Sequence, residues 1–360
     1  MQIQEADMHI FDYSFLDEGS LPAEMVNLTS AISAFHAISA ERKDRNKSVY
    51  TELEKVARVQ SVKGSNAIEG IVTTDARIRE IVNGNSAPLN HSEREIAGYR
   101  NALDEIHTAY DVMPVNEATI LRLHQLVTDI AGYEQSGQYK AEDNLIMEVD
   151  LHGRRSIRFT PVPAAGTGEA MQQLILAYTA ARDNPHVSKL LLVPCVVLDF
   201  LCIHPFADGN GRVSRLLTLL LLYKSGYDIC RYVSFEEQIN RAKDFYYEAL
   251  RASSDGWHTN ANSYLPFMKH FLSTLYQCYK ELDKRFSTVN GKKIKKTERI
   301  EQLVLNSVLP VSKAEICALL PDVSPTTVEA VLGKMTRSGE ITKIGQARAT
   351  KYVNAAHLSS

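Results

Sequence analysis

The feature that most constrains this 360-residue chain is a pair of apolar runs separated by a polar knot. The first run, Leu190 to Ile203, is interrupted only by Pro194 and Asp199; the second extends from Leu216 to Leu222 and ends near Gly226. Such runs predict two buried helices, joined by His204-Pro-Phe-Ala-Asp-Gly-Asn-Gly-Arg-Val-Ser-Arg215. Within the knot, Gly209, Asn210 and Gly211 supply a turn with backbone N–H groups at the start of the second helix. There the helix dipole favours an anion such as phosphate. Asp208 offers a hard oxygen ligand of the kind that Mg²⁺ takes together with substrate phosphates. Arg212 and Arg215, three apart, share a helix face and suit phosphate clamping. His204 precedes a proline, which predicts extended backbone at its position, and its titration range suits a general base. A calcium loop is excluded, because the twelfth position from Asp208 is Leu219 where a bidentate Glu is needed. The chain has no Gly-x-x-x-x-Gly-Lys-Ser/Thr phosphate loop.

As a whole, the string resembles the signature of the Fic family, His-Pro-Phe-x-Asp/Glu-Gly-Asn-Gly-Arg-x-x-Arg, without a departure. The resemblance implies nucleotidyl transfer, usually of AMP from ATP to a Ser, Thr or Tyr hydroxyl of another protein. It makes ATP the substrate and Mg²⁺ the cofactor. It also makes His204 the base, Asp208 the metal ligand and Gly209, Asn210, Gly211 and Arg212 the cradle of the α- and β-phosphates, with Arg215 on the γ-phosphate. Further upstream, Ser65 and Glu69 are by spacing alone a helical surface pair ahead of a helix end at Gly70. Beside the signature, Ser65-x-x-x-Glu69-Gly70 resembles the family's inhibitory motif, which implies a Glu69–Arg215 pair that excludes the γ-phosphate. Asp244-Phe-Tyr-Tyr247 resembles the family segment near adenine, so Tyr247 is a base-contact candidate; spacing alone makes it a core or rim residue. Two other readings use the same chain. Glu69 and His204 in reverse roles would hydrolyse an AMP–protein linkage, and a DNA-binding regulator would leave the Fic site idle. UMP and phosphocholine remain alternative transferred groups.

Hydrophobic content of 44% and charged content of 23% are ordinary for a soluble globular protein. No apolar stretch reaches the roughly 20 residues of a membrane span. Five scattered cysteines without metal-ligand spacing, and an N-terminus unlike a signal peptide, predict a cytoplasmic, disulfide-free protein with no membrane partner. The expected fold is mainly α: a Fic helical core with a small β-hairpin flap, plus a C-terminal winged-helix domain. Its parts are an N-terminal helical region over 1–90 with the inhibitory motif, the catalytic core over 91–288, a linker over 289–296 and a winged helix-turn-helix over 297–360.

Local signals fill in that outline. Helices are expected from Pro22 to Glu41 and Ser48 to Val62, with Thr74 or Asp75 capping a short one. Ser92-x-x-Glu95 has the capping-box pattern, and Asn116 caps a helix towards Asp129. A hairpin pairs residues 145–149 with 156–159 around a polar turn near His152–Gly153. Family likeness implies that this flap aligns the target's backbone as an added strand. Further helices follow Gly166-Thr-Gly-Glu169 and cover Ser234 to Leu250 and Asn262 to Arg285. In the last unit, helices over Thr297–Val308, Ser312–Leu320 and Ser324–Ser338 precede a two-stranded wing over 340–353. Residues 291–360 carry a net charge of +5, against −8 for the first 290, the chain totalling −3. Lys334, Arg337, Arg348 and Lys351 suit phosphates, but the third helix is poor in residues that read base edges. Nucleic acid and protein are therefore both open as its partner. A homodimer that buries the inhibitory helix is a further expectation.

Overall fold

The computed structural model describes residues 9–149, 154–290, 295–305, 307, 310–320, 322–345 and 350–355. Six helices open the chain: α1 (Phe15–Glu18), α2 (Ala23–Arg45), α3 (Lys47–Ile68), α4 (Asp75–Val82), α5 (His91–Ala109) and α6 (Glu117–Thr128). An antiparallel hairpin of β1 (Ile146–Val149) and β2 (Arg155–Phe159) follows. The body is completed by α7 (Ala164–Asp183), α8 (Lys189–Ile203), α9 (Asn210–Lys224), α10 (Phe235–Arg241), α11 (Lys243–Ser254) and α12 (Leu265–Asn290). The expected mainly helical class with a small hairpin is therefore the observed one.

The two apolar runs form the centre. Leu190 to Ile203 is buried at every position except Leu201, and Arg212 to Tyr223 is buried throughout. Helices apolar on all sides must be covered on all sides, and α3, α5, α6, α7, α11 and α12 supply that cover. Asp199, inside α8, takes hydrogen bonds from Tyr13 Oη (2.7 Å), Trp257 Nε1 (2.8 Å) and Tyr264 Oη (3.0 Å). Burial still pushes its carboxyl up to about 7. Two glycines set close helix contacts. A Cβ at Gly64 of α3 would lie 2.8 Å from the backbone nitrogen of Glu237 in α10, and one at Gly98 of α5 would overlap the Val127 carbonyl of α6.

The C-terminal unit has its own core, around Ile300, Ile316, Val328, Leu332 and Ile341. It consists of α13 (Lys296–Leu305), β3 (Val311–Ser312), α14 (Lys313–Leu319), α15 (Pro325–Arg337), β4 (Ile341–Ile344) and β5 (Lys351–Asn354). Its antiparallel sheet has the order β3-β5-β4, one strand more than the expected two. Ser312 caps α14 in a complete capping box with Glu315, and Ser324 caps α15. The unit docks through α14 on α3, and Leu319 packs against the main core.

Several local expectations are corrected. Asn90, not Ser92, caps α5 by accepting from Glu93 N, so Glu95 is free for another role. Of the two caps expected for α4, Thr74 is the one observed. Helix α7 begins at Ala164 behind Pro163 and takes Gly166 and Gly168 into its first turns. The helix expected over 234–250 breaks at Ala242, and α12 starts at Leu265 rather than Asn262. The turn at His152–Gly153, Gly291 to Ile294 of the linker, Val308 and Arg348 lie outside the described residues.

Candidate functional site

The site forms where α8 ends and α9 begins. His204 caps α8 with φ 51° and ψ 60°. This left-handed conformation, not the extended one expected before proline, is uncommon for a non-glycine residue and needs support from its surroundings. Support comes from Lys140 and Asn144, in the segment leading to the hairpin. The Lys140 N–H donates to Pro205 O (2.9 Å) and its Nζ to Ile203 O (3.3 Å) and Asn144 Oδ1 (2.8 Å). Asn144 Nδ2 donates to Phe206 O (3.0 Å). The Phe206 ring stacks on His124 at 3.8 Å. His204 Nδ1 lies 3.3 Å from Leu201 O; a carbonyl only accepts, so Nδ1 carries the hydrogen and Nε2 the lone pair. Burial pushes the His204 imidazole down to about 4, with Lys140 adding to the effect. The ring is therefore a neutral base at physiological pH.

Gly209 caps α9 in the left-handed region, φ 82°, so the first N–H groups of α9 open onto the site, where no intrahelical partner exists for them. Asn210 turns its side chain back on the loop, accepting from Phe206 N (2.9 Å) and donating to Phe206 O (2.7 Å). Its amide thus shapes the turn, leaving only its backbone for a phosphate. Asp208 is 59% exposed, and its Oδ1 accepts from Gly209 N (2.5 Å). No group of three or more His, Cys, Asp or Glu suited to a metal occurs among the described residues. A lone exposed carboxylate beside open N–H groups nevertheless fits Mg²⁺, which is commonly held by one or two carboxylates plus substrate phosphates.

The two arginines differ. Arg215, 3% exposed, is occupied: Nη2 meets Glu69 Oε1 at 2.8 Å and Ser65 O at 3.0 Å, and Nε donates to Ser65 Oγ at 2.8 Å. Glu69, at the end of α3, lies against the first turn of α9; a Cβ at Gly211 would overlap its Oε1. A carboxylate therefore occupies the helix N-terminus where an anion is favoured. Gly70, φ 77°, ends the helix as expected. Arg212, 2% exposed, is paired with Glu95 Oε1 of α5 at 2.9 Å, instead of standing open in the cradle.

Tyr247 is half-buried, with Arg158 of β2 and Lys243 over its ring at 5.7 and 5.8 Å. Its neighbour Tyr246 is buried, and its burial and Arg215's charge oppose each other in setting its raised pKa. The hairpin is tied to α11 by an Arg251–Glu148 ion pair. Sequence reasoning brought together His204, Asp208, Arg212, Arg215, Ser65 and Glu69. It missed Glu95, Tyr133, Lys140, Asn144 and Arg158, of which only Glu95 carried a signal, misassigned to a helix cap.

The Fic/DOC family model matches residues 114–222. A Fido domain-containing protein of Dictyostelium discoideum is 31% identical over 137 residues, covering 37% of this chain and 94% of that protein. The protein adenylyltransferase Fic of Drosophila erecta is 28% identical over 233 residues, covering 63% of this chain. This chain spans only 41% of that relative's length. Among solved structures, a Fic family protein from Desulfovibrio desulfuricans shares the fold with a TM-score of 0.61 at 17% identity, over 93% of this chain and 97% of that one.

Proposed function

Because the chain belongs to the Fic/DOC family, we propose that it is a protein adenylyltransferase held inactive by its own Glu69. The observation that carries this reading is the Glu69–Arg215 pair of 2.8 Å at the N-terminus of α9. A target Ser, Thr or Tyr hydroxyl would attack the α-phosphorus of ATP. The new O–P bond forms as the bond to the bridging oxygen of the β-phosphate breaks, pyrophosphate leaves, and the hydroxyl proton passes to His204 Nε2. Asp208 would hold Mg²⁺, which when bound offsets charge on the phosphates. The N–H groups at the start of α9 orient the phosphates, and Arg215 meets the γ-phosphate once Glu69 leaves. Such a reaction is accelerated chiefly by positioning and electrostatics. Tyr247, beneath Arg158, would line the base.

Glu69 lies against the phosphate end of the site, which also supports a second reading. There the carboxylate orients water to hydrolyse an AMP–protein linkage while His204 returns the proton. The C-terminal unit is read as a winged helix-turn-helix, on the strength of three helices with a small antiparallel sheet. Its cations Lys313, Lys334 and Lys351 face Glu329, Glu301 and Glu315, which favours a protein partner over DNA.

The test is labelling with α-³²P-ATP and Mg²⁺ of three proteins offered a cell extract as target source: wild type, Glu69→Gly, and Glu69→Gly with His204→Ala. Strong label with the single variant, faint label with wild type and none with the double variant is expected; loss of a general base costs about 10²–10⁴-fold. Label as strong in wild type as in Glu69→Gly would refute autoinhibition. Failure of the single variant to label, with release of AMP from modified proteins instead, would put the hydrolase first.

A further inference from the structure

We propose that Glu95 and Tyr133 are positioning residues for the phosphate site, holding Arg212 and Asp208 in their working arrangement; this rests on the adenylyltransferase reading above. The four side chains close a ring. Glu95 Oε1, on a residue only 5% exposed, meets Arg212 Nη1 at 2.9 Å and accepts the Tyr133 hydroxyl at 2.7 Å. The same hydroxyl lies 3.1 Å from Asp208 Oδ2, and Asp208 Oδ1 is 3.7 Å from Arg212 Nη2. His91 Nε2 stands 3.8 Å from the other Glu95 oxygen.

Each contact has a physical consequence. A guanidinium taken out of water needs an opposite charge, and Glu95 is the carboxylate against it. Carboxylates stand on two sides of the guanidinium, Glu95 by Nη1 and Asp208 by Nη2, and so bracket it at the edge at which phosphates would arrive. Tyr133 fixes the rotamer of a carboxylate that is otherwise 59% exposed. The group as a whole carries two negative charges and one positive, so it presents a net negative charge to an incoming cation. None of this depends on Glu69, whose partner is Arg215 on the next turn of α9.

The test measures binding rather than turnover. In the Glu69→Gly background, the affinity for ATP with and without Mg²⁺ is determined by calorimetry for three further changes: Glu95→Gln, Glu95→Asp and Tyr133→Phe. Thermal denaturation is recorded alongside. Groups that orient a metal-binding carboxylate typically cost about 10- to 100-fold when removed, so Glu95→Gln is expected to weaken Mg·ATP to that extent. Glu95→Asp, which keeps the charge, restores part of the loss. Tyr133→Phe weakens Mg·ATP more than metal-free ATP, because its hydroxyl touches Asp208. Should Glu95→Gln fold poorly, Tyr133→Phe decides alone. Mg·ATP binding as tight as in the Glu69→Gly parent, or tighter, in Glu95→Gln and Tyr133→Phe overturns the inference and makes Glu95 a bystander or a competitor for Arg212. If the Glu69→Gly parent itself fails to bind Mg·ATP, the adenylyltransferase reading fails, and this inference with it.

Discussion

His204 illustrates what a single residue can carry. Burial pushes its imidazole down from near 6.5 to about 4, because the pocket disfavours the charged form. A lowered value means that the neutral base persists as pH falls from 7 to 5 and is lost only on approaching 4. For the Glu69→Gly variant, kcat/KM at saturating Mg²⁺ should therefore show no acid limb centred near 6.5. A rate that halves at pH 6.5 would contradict this burial effect. The residues of the signature were legible because they are consecutive in the chain, and their spacing states their chemistry. Glu95 and Tyr133 were not. They reach Arg212 and Asp208 from positions more than 70 residues upstream, and a buried Glu on a helix reads in one dimension like any first-turn carboxylate. The left-handed backbone of His204 was hidden for a related reason: the proline after it favours extended backbone, and the Lys140 and Asn144 contacts that hold the turn otherwise come from about 60 residues upstream.

Among elements, the pairing of helices was legible where apolar runs were long, as in α8 and α9, and the hairpin was legible from its alternation. Helix starts were read less well, because several polar residues compete within one turn and geometry chooses the cap, as Asn90 does over Ser92. Close approaches are set by glycines. Gly64→Ala and Gly98→Ala would each add a methyl group against backbone atoms of α10 or α6, which cannot yield as a flexible side chain would. Alanine improves helix propensity by about 1 kcal/mol, yet overpacking costs about 1–3 kcal/mol. Backbone contacts place these two sites at the upper end of that range. Both variants should melt at lower temperature than the parent in a thermal scan; an unchanged or raised Tm would show that the helices can separate freely.

At the scale of the molecule, two hydrophobic cores are joined through α3. This helix meets α14 along its length and at its C-terminal end carries Ser65, with Glu69 as its cap. Replacing Leu319, which packs against the main core, by Lys should loosen the docking of the C-terminal unit. The expected outcome is stronger labelling by a chain that keeps Glu69, and no further gain in the Glu69→Gly background. An equal increase in both backgrounds would locate the effect elsewhere. The charge asymmetry between body and tail was readable from composition alone, whereas their meeting along α3 was not, since nothing local to either sequence marks the contact.

The continuity of α3 has a thermodynamic corollary. If the helix responds as one body, withdrawal of Glu69 from Arg215 and undocking of α14 are two views of one equilibrium. Linkage is then reciprocal: a partner that captures the C-terminal unit and raises nucleotide affinity by some factor must itself be bound more tightly, by that same factor, when nucleotide is present. The cell's ATP would in that way set how firmly the partner is held, and the tail would report on the occupancy of a pocket it does not touch.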